Sequence, residues 1–324
     1  MPPPTWQLWT ALGLVYVVWG STYLAIVYVV ETLPPLLSAG ARFAVAAAML
    51  ALWLVLRQGW QGVVASRREW GAGAVIGLLL LLGGNGGVTL AEDADLPSGL
   101  TALLVASVPL WIVVLRSCTG DRPAGRTLIG VAVGFAGVAL LLLPGARPDS
   151  VPLLAAATVV VGSICWSIGT FLSPRLGLPR NPLLGAVAQM AGGAIGLLVA
   201  GLLRGEQFEP QDVSLVSALG LIYLVVFGSL VAFTAYSWLL RVAPVSQVAT
   251  YAYVNPVVAV ALGALFVGEE VGLLTLLGGA VIVAAVAIVV GEESRRKSQL
   301  VHCPADAGAQ APVERQGRNR SSET

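Results

Sequence analysis

Apolar residues run along this chain in blocks of about twenty, separated by short polar stretches. In order, the blocks cover roughly residues 9–30, 35–56, 70–90, 97–116, 126–143, 152–172, 181–203, 214–238, 245–267 and 271–290. The breaks consist of turn formers and charges: ETLPP, RQGWQGVVASRRE, AEDADLP, TGDRPAG, PGARPDS, SPRLGLPRNP, RGEQFEPQD, RVAP and GEE. A helix needs roughly 20 apolar residues to cross a bilayer, so the pattern predicts ten membrane-spanning helices. Lipid offers the backbone no hydrogen bonds, and helices satisfy their own. The expected fold class is therefore all-α and integral to the membrane. The first block follows only MPPPTW and lacks a clean small-residue cleavage site, so a retained helix is expected rather than a signal peptide.

Composition supports this reading and narrows the function classes. Of 324 residues, 57% are hydrophobic and only 11% charged, against about 25% charged in an ordinary soluble domain. That is too little charge to cover a soluble surface of this size. A net charge of +1 gives no broad field for a nucleic-acid partner. Cys118, Cys165 and Cys303 lie far apart, and the single histidine is His302 in the tail. Neither a disulfide framework nor a zinc site fits that spacing. A nucleophile–histidine catalytic arrangement would depend on His302 alone, so no enzyme and no cofactor are expected.

The loops carry an alternating charge bias. Arg57, Arg67 and Arg68, then Arg116, Arg122 and Arg126, then Arg175 and Arg180, then Arg241, occupy alternate loops, and the tail adds Arg295, Arg296 and Lys297. The opposite loops hold only Arg147 and Arg204 as cations, beside Glu31, Glu92, Asp93, Asp95, Asp149, Glu206, Glu209, Asp212, Glu269 and Glu270. Lys and Arg favour the cytoplasmic side, which predicts that both termini are cytoplasmic.

An offset of 147 residues sets Trp19 on Trp166, Pro35 on Pro182, Arg57 on Arg204 and Pro109 on Pro256. Each repeat then holds five spans, and an odd number inverts the second copy. The expected organisation is a first five-helix repeat over 1–147, a second, inverted one over 148–291, and a disordered cytoplasmic tail over 292–324. Inverted repeats are a common construction of secondary transporters, with a site near the midplane.

Polar groups within the spans mark candidates for that site. Arg42 lies about 10 Å into the second span at 1.5 Å per residue, roughly a third of the way from the outer face of a 30 Å core. It either meets a substrate anion or snorkels and bonds helix-end carbonyls. The offset pairs it with Gln189, an uncharged mate at the mirrored depth. Trp19 and Tyr23 in the first span, and Trp166 in its counterpart, are candidate cavity walls. Asn85 sits in GGNGG, where glycines weaken the helix. Pro109 and Pro256 each interrupt a span, with Trp111 beside one and Tyr251, Tyr253 and Asn255 beside the other. No Asp or Glu falls inside any of the ten blocks, so no buried proton-carrying carboxylate is expected.

The stretches WGSTYLAI, ETLPPLLSAGARF, DLPSGLTALLVASVPLW and LIGVAVGFAGVALL resemble the first EamA-type repeat of the drug/metabolite transporter superfamily, and AYSWLLRVAPVSQVATYAYVNPVVAVALGALFVGEEV resembles the second. The likeness covers most of residues 9–290 and is nearest to the YedA-like group of bacterial inner-membrane exporters. It implies a ten-helix inverted-repeat fold with a central cavity that exports amino acids or related metabolites. The family's recurrent arginine and YVNP segment fall on Arg42 and on Tyr253 to Pro256. The expected partners are a small-molecule substrate and the lipid bilayer, with no nucleic acid; a homodimer is left open. Multidrug or cationic-compound export, uptake, a lipid-acting membrane enzyme and a non-transporting scaffold are the competing readings.

Overall fold

The computed structural model describes residues 4–120, 123–143, 153–269 and 271–301. Arg122, Arg147, Asp149, Glu270, His302, Cys303 and the tail from 302 onward lie outside the described residues. Among the described residues all regular structure is helical: α1 Thr5–Val30, α2 Pro35–Gln58, α3 Arg67–Asp93, α4 Ser98–Cys118, α5 Gly125–Leu142, α6 Leu153–Leu172, α7 Pro182–Leu203, α8 Leu215–Val242, α9 Tyr251–Leu262 and α10 Leu273–Val301. Nine of these are long and apolar enough to cross a membrane; the ninth in order, α9, is shorter.

The ninth block, expected as one span over 245–267, is broken. Residues 245–267 divide into a short helix Val245–Val248, a turn at Ala249 and Thr250, α9, and a wider π-helical turn Gly263–Val267. The Thr250 hydroxyl donates to the Gln247 carbonyl at 2.6 Å, a local bond that competes with continuing the helix. α4 also contains a break, where Ala106 and Ser107 form a turn and the Ser107 hydroxyl donates to Leu104 O at 2.7 Å. Pro109 therefore begins a helical segment, where its missing N–H is harmless, whereas Pro256 lies inside α9. The two prolines do not interrupt their spans in the same way.

Local chemistry explains several helix starts. Pro35 and Pro182 occupy the first positions of α2 and α7, where a fixed φ favours the helix. Ser66 and Glu69 form a reciprocal capping box at the start of α3. α10 runs on to Val301, past residue 292 where the tail was expected to begin.

α2 packs along α7, and α5 along α10; α1 packs on α8 and α9, and α6 on α3 and α4. Membrane helices approach closely through small residues, and the α3–α7 crossing is an extreme case. A Cβ added at Gly77 would lie 1.9 Å from the Gln189 carbonyl oxygen, and one at Gly192 would lie 2.4 Å from the Ala74 Cα. Large apolar side chains cover the outside, including Leu154, Leu203 and Leu215, as a lipid-facing surface requires.

Two long helices widen into π-helix, α3 over Leu78–Asn85 and α8 over Leu224–Phe233. The 147-residue offset superimposes these segments almost completely. Widened turns of this kind are uncommon and cluster at functional sites.

Candidate functional site

The widened turns of α3 and α8 meet α1, α2, α6 and α9 around a small cavity of about 60 Å³. Its walls include Trp19, Tyr23, Arg42, Asn85, Trp166, Tyr251 and Asn255. Seven of the ten residues singled out from the sequence thus converge on one space. The lining is mostly apolar and its one formal charge is Arg42.

Arg42 is 3% exposed. Its Nε donates to the Ser229 hydroxyl at 2.8 Å, and its guanidinium lies 4.5 Å from the Phe43 ring centroid. Neither helix-end carbonyls nor the membrane surface take it up, and among the described residues no carboxylate pairs with it. Room for its head group is left by Gly228, where a Cβ would lie 2.8 Å from Nη2 and 3.1 Å from the Thr22 methyl. The Gly228 carbonyl in turn accepts from Trp19 Nε1 at 3.2 Å.

The same cavity is lined by Asn85, whose buried Oδ1 has no hydrogen-bond partner. Neighbouring Gly84 admits the Trp166 ring, since a Cβ there would come within 2.6 Å of it. Asn255, with its amide nitrogen turned to the backbone, donates to Tyr16 O at 3.0 Å and Tyr251 O at 3.2 Å. Asn255 thus braces the stretch of α9 that Pro256 weakens.

One side of the cavity is closed by aromatic rings. Trp19 meets Trp166 edge-to-face at 5.4 Å between centroids, Tyr251 at 5.6 Å and Tyr236 at 4.8 Å. Tyr236 is fully buried, and its hydroxyl bonds Trp166 Nε1 at 3.1 Å and the Thr170 hydroxyl at 2.6 Å. Tyr236, toward the second half of α8, joins this cluster because α8 turns that face toward α6.

Three sequence candidates stand elsewhere or are undescribed. Gln189 is buried where α7 meets α3 and α8, its Oε1 accepting from Ser237 at 3.4 Å. It is therefore not a mirrored polar wall opposite Arg42. Trp111 packs against Phe135 at 4.5 Å between centroids, away from the cavity. Tyr253 belongs to α9, but its side chain lies outside the described residues.

Three carboxylates stand at helix ends outside the cavity lining. Glu206 accepts from the amides of Leu36 and Leu37, at 3.0 and 2.8 Å, across the start of α2. Glu269 does the same for Ser98 and Gly99, at 2.7 and 3.1 Å, across the start of α4. Each joins a loop of the second half to a helix of the first, and anions suit helix N-termini. Glu92, at the last turn of α3, is 4% exposed, and neither of its oxygens has a partner. No carboxylate was expected in the buried part of a span. The apolar block appeared to end near residue 90, but α3 continues through Asp93, and neighbouring helices cover its last turn.

Comparison with known proteins agrees with the geometry. The EamA-like transporter family model matches residues 6–143 and again 153–291. The chain belongs to the EamA-like transporter family. The "Uncharacterized inner membrane transporter YedA" of Escherichia coli (strain K12) is 39% identical over 282 residues, covering 87% of this chain and 90% of the relative. A "Probable amino-acid metabolite efflux pump" of the same organism is 24% identical over 294 residues, covering 86% and 92%. A solved structure titled "Crystal structure of protein" superposes with a TM-score of 0.59 at 20% identity, covering 88% of this chain and 96% of the other, which shows a shared fold. The protein is thus a membrane transporter of the YedA-like type, with multiple helices in the bacterial inner membrane.

Proposed function

We propose that this family member is a secondary transporter that exports small amphoteric metabolites, amino acids or close relatives, by alternating access. The carrying observation is Arg42, a buried cation facing the cavity through Ser229 with no carboxylate partner. An unpaired charge away from water costs several kcal/mol, which a substrate carboxylate would offset. The free Asn85 Oδ1 is an acceptor suited to an ammonium, and the rings of Trp19, Trp166 and Tyr251 suit an ammonium or an apolar side chain. The efflux-pump relative supports the outward direction. A cationic drug would meet Arg42 with like charge, so multidrug export fits less well.

The same reading takes the halves as inverted repeats with both termini cytoplasmic. It is supported by α2 packing on its mate α7, and α5 on its mate α10, and by the loop charges. The working regions would be the two widened turns, and the working ends the aromatic cluster and the carboxylate clamps.

The test is counterflow in proteoliposomes with labelled amino acids, their amides and common drugs. Exchange of amino acids, weaker exchange of amides and little of the drugs is expected. If no amino acid exchanges, the proposed substrate class fails; if cationic drugs exchange best, the substrate is of the opposite charge.

A further inference from the structure

Glu92 is a carboxylate for which the substrate-binding cavity has no use, and its surroundings point to a proton. Asn85, Val88 and Glu92 follow one another at spacings of three and four residues, so they share one face of α3. Asn85 and Val88 line the cavity, and Glu92 lies one turn beyond them. Tyr23 joins the two regions: it lines the cavity and interacts electrostatically with Glu92.

The elements packed on this turn bring little to offset a charge. α1 carries Tyr23 and Tyr28, with Glu31 just past its end, α2 carries Arg42, α6 carries Cys165, and the loop after α9 carries Glu269. Asp93 and Asp95 follow on the same helix end, near Arg204 and Glu206. Arg42 is already held by Ser229. Glu269 is of like sign to Glu92 and disfavours a charge on it, and its own carboxylate oxygens accept from the amides that start α4. The hydroxyls of Ser98 and Thr101 on α4 are buried without partners as well. A dry, unpartnered carboxylate beside a second, amide-stabilised one is most cheaply accommodated with a proton on it.

We propose that Glu92 is a proton-binding site that couples the transport cycle to the proton gradient. With the clamps closed, as here, the carboxyl is neutral. When Glu269 releases the start of α4, water reaches Glu92 and the proton exchanges with the outer solution. When the cavity opens to the opposite side, the proton leaves past Tyr23. One proton moves inward as one substrate moves outward, and no covalent bond is made or broken.

The inference rests on the transport reading, so the experiment separates the two. Infrared spectra of the purified protein at neutral pH should contain a protonated-carboxyl band that Glu92→Gln lacks. Glu269→Gln, which removes the neighbouring charge, should change the pH at which that band disappears. In proteoliposomes with labelled leucine as the probe, a gradient of one pH unit should concentrate leucine by up to about tenfold for one proton per substrate. Glu92→Gln should still show measurable counterflow but no accumulation driven by the gradient. Glu92→Gln accumulating leucine as well as wild type would overturn the proposal, as would wild-type counterflow that ignores the gradient. Should wild type move no leucine, the transport reading is what fails for that probe. The infrared spectra then decide Glu92 alone, and identical spectra for wild type and variant overturn its proton.

Discussion

Trp19 and Trp166 stand edge-to-face with ring centroids 5.4 Å apart, although 147 residues separate them in the chain. They are the pair that the internal offset sets on one another, one from each of the two stretches that match the family model. Their surroundings differ: Trp19 donates to the Gly228 carbonyl, Trp166 to the Tyr236 hydroxyl. The centre of the molecule is thus similar in ring placement and different in polar partners, which allows one charged side chain, Arg42, to stand without a charged mate.

Replacing Arg42 by glutamine should weaken binding of carboxylate substrates about 10- to 100-fold, the worth of a charge-assisted hydrogen bond. Amides of the same substrates should lose far less. Competition in the counterflow assay measures both, and equal losses would mean that Arg42 supports the structure only.

Gly228→Ala should reproduce much of that defect from a distance in sequence. Its Cβ would fall 2.8 Å from Arg42 Nη2 and 3.1 Å from Thr22, so the guanidinium has to leave Ser229. Size-exclusion behaviour should remain that of wild type while transport falls. Full activity would show that the head group has another resting place.

At Gly77 the outcome should be instability instead. A Cβ 1.9 Å from the Gln189 carbonyl meets backbone, which cannot rotate away, and overpacking costs about 1–3 kcal/mol or more. Gly77→Ala should melt at lower temperature in detergent, with Gly71→Ala, where the added carbon meets nothing within 4 Å, as the unaffected control.

The carboxylate clamp on α2 can be tested in the same way. Glu206→Ala leaves the amides of Leu36 and Leu37 without their acceptor, a loss of about 1–3 kcal/mol. Lower thermal stability is expected, with smaller loss for Glu206→Gln, which keeps one acceptor oxygen. Unchanged melting of both variants would show that water replaces the clamp at no cost.

Orientation has its own measurement. Cys118 is exposed at the end of α4, on the side that the arginine-rich loops assign to the cytoplasm. In a background with Cys165→Ser and Cys303→Ser, an impermeant maleimide should label Cys118 only after cells are permeabilised. Labelling of intact cells would reverse the topology.

The sequence by itself determined where the helices lie, because apolar length and turn chemistry are local properties. Blocks of about twenty residues, prolines at the starts of α2 and α7 and the Ser66–Glu69 box need no knowledge of the rest of the chain. Seven of the ten candidate residues it singled out line one cavity, since polar and aromatic groups inside a membrane span have few other places to go. What it could not show is which polar group faces which. The Arg42–Ser229 bond spans 187 residues and the Trp19–Gly228 bond 209. Only the packed structure decided that Gln189 is buried against α3, that Tyr236 joins the central rings, and that Glu92 is covered rather than solvated. Each of these depends on a neighbouring helix arriving at one particular face, and the spacing of residues along a single helix carries no record of that neighbour.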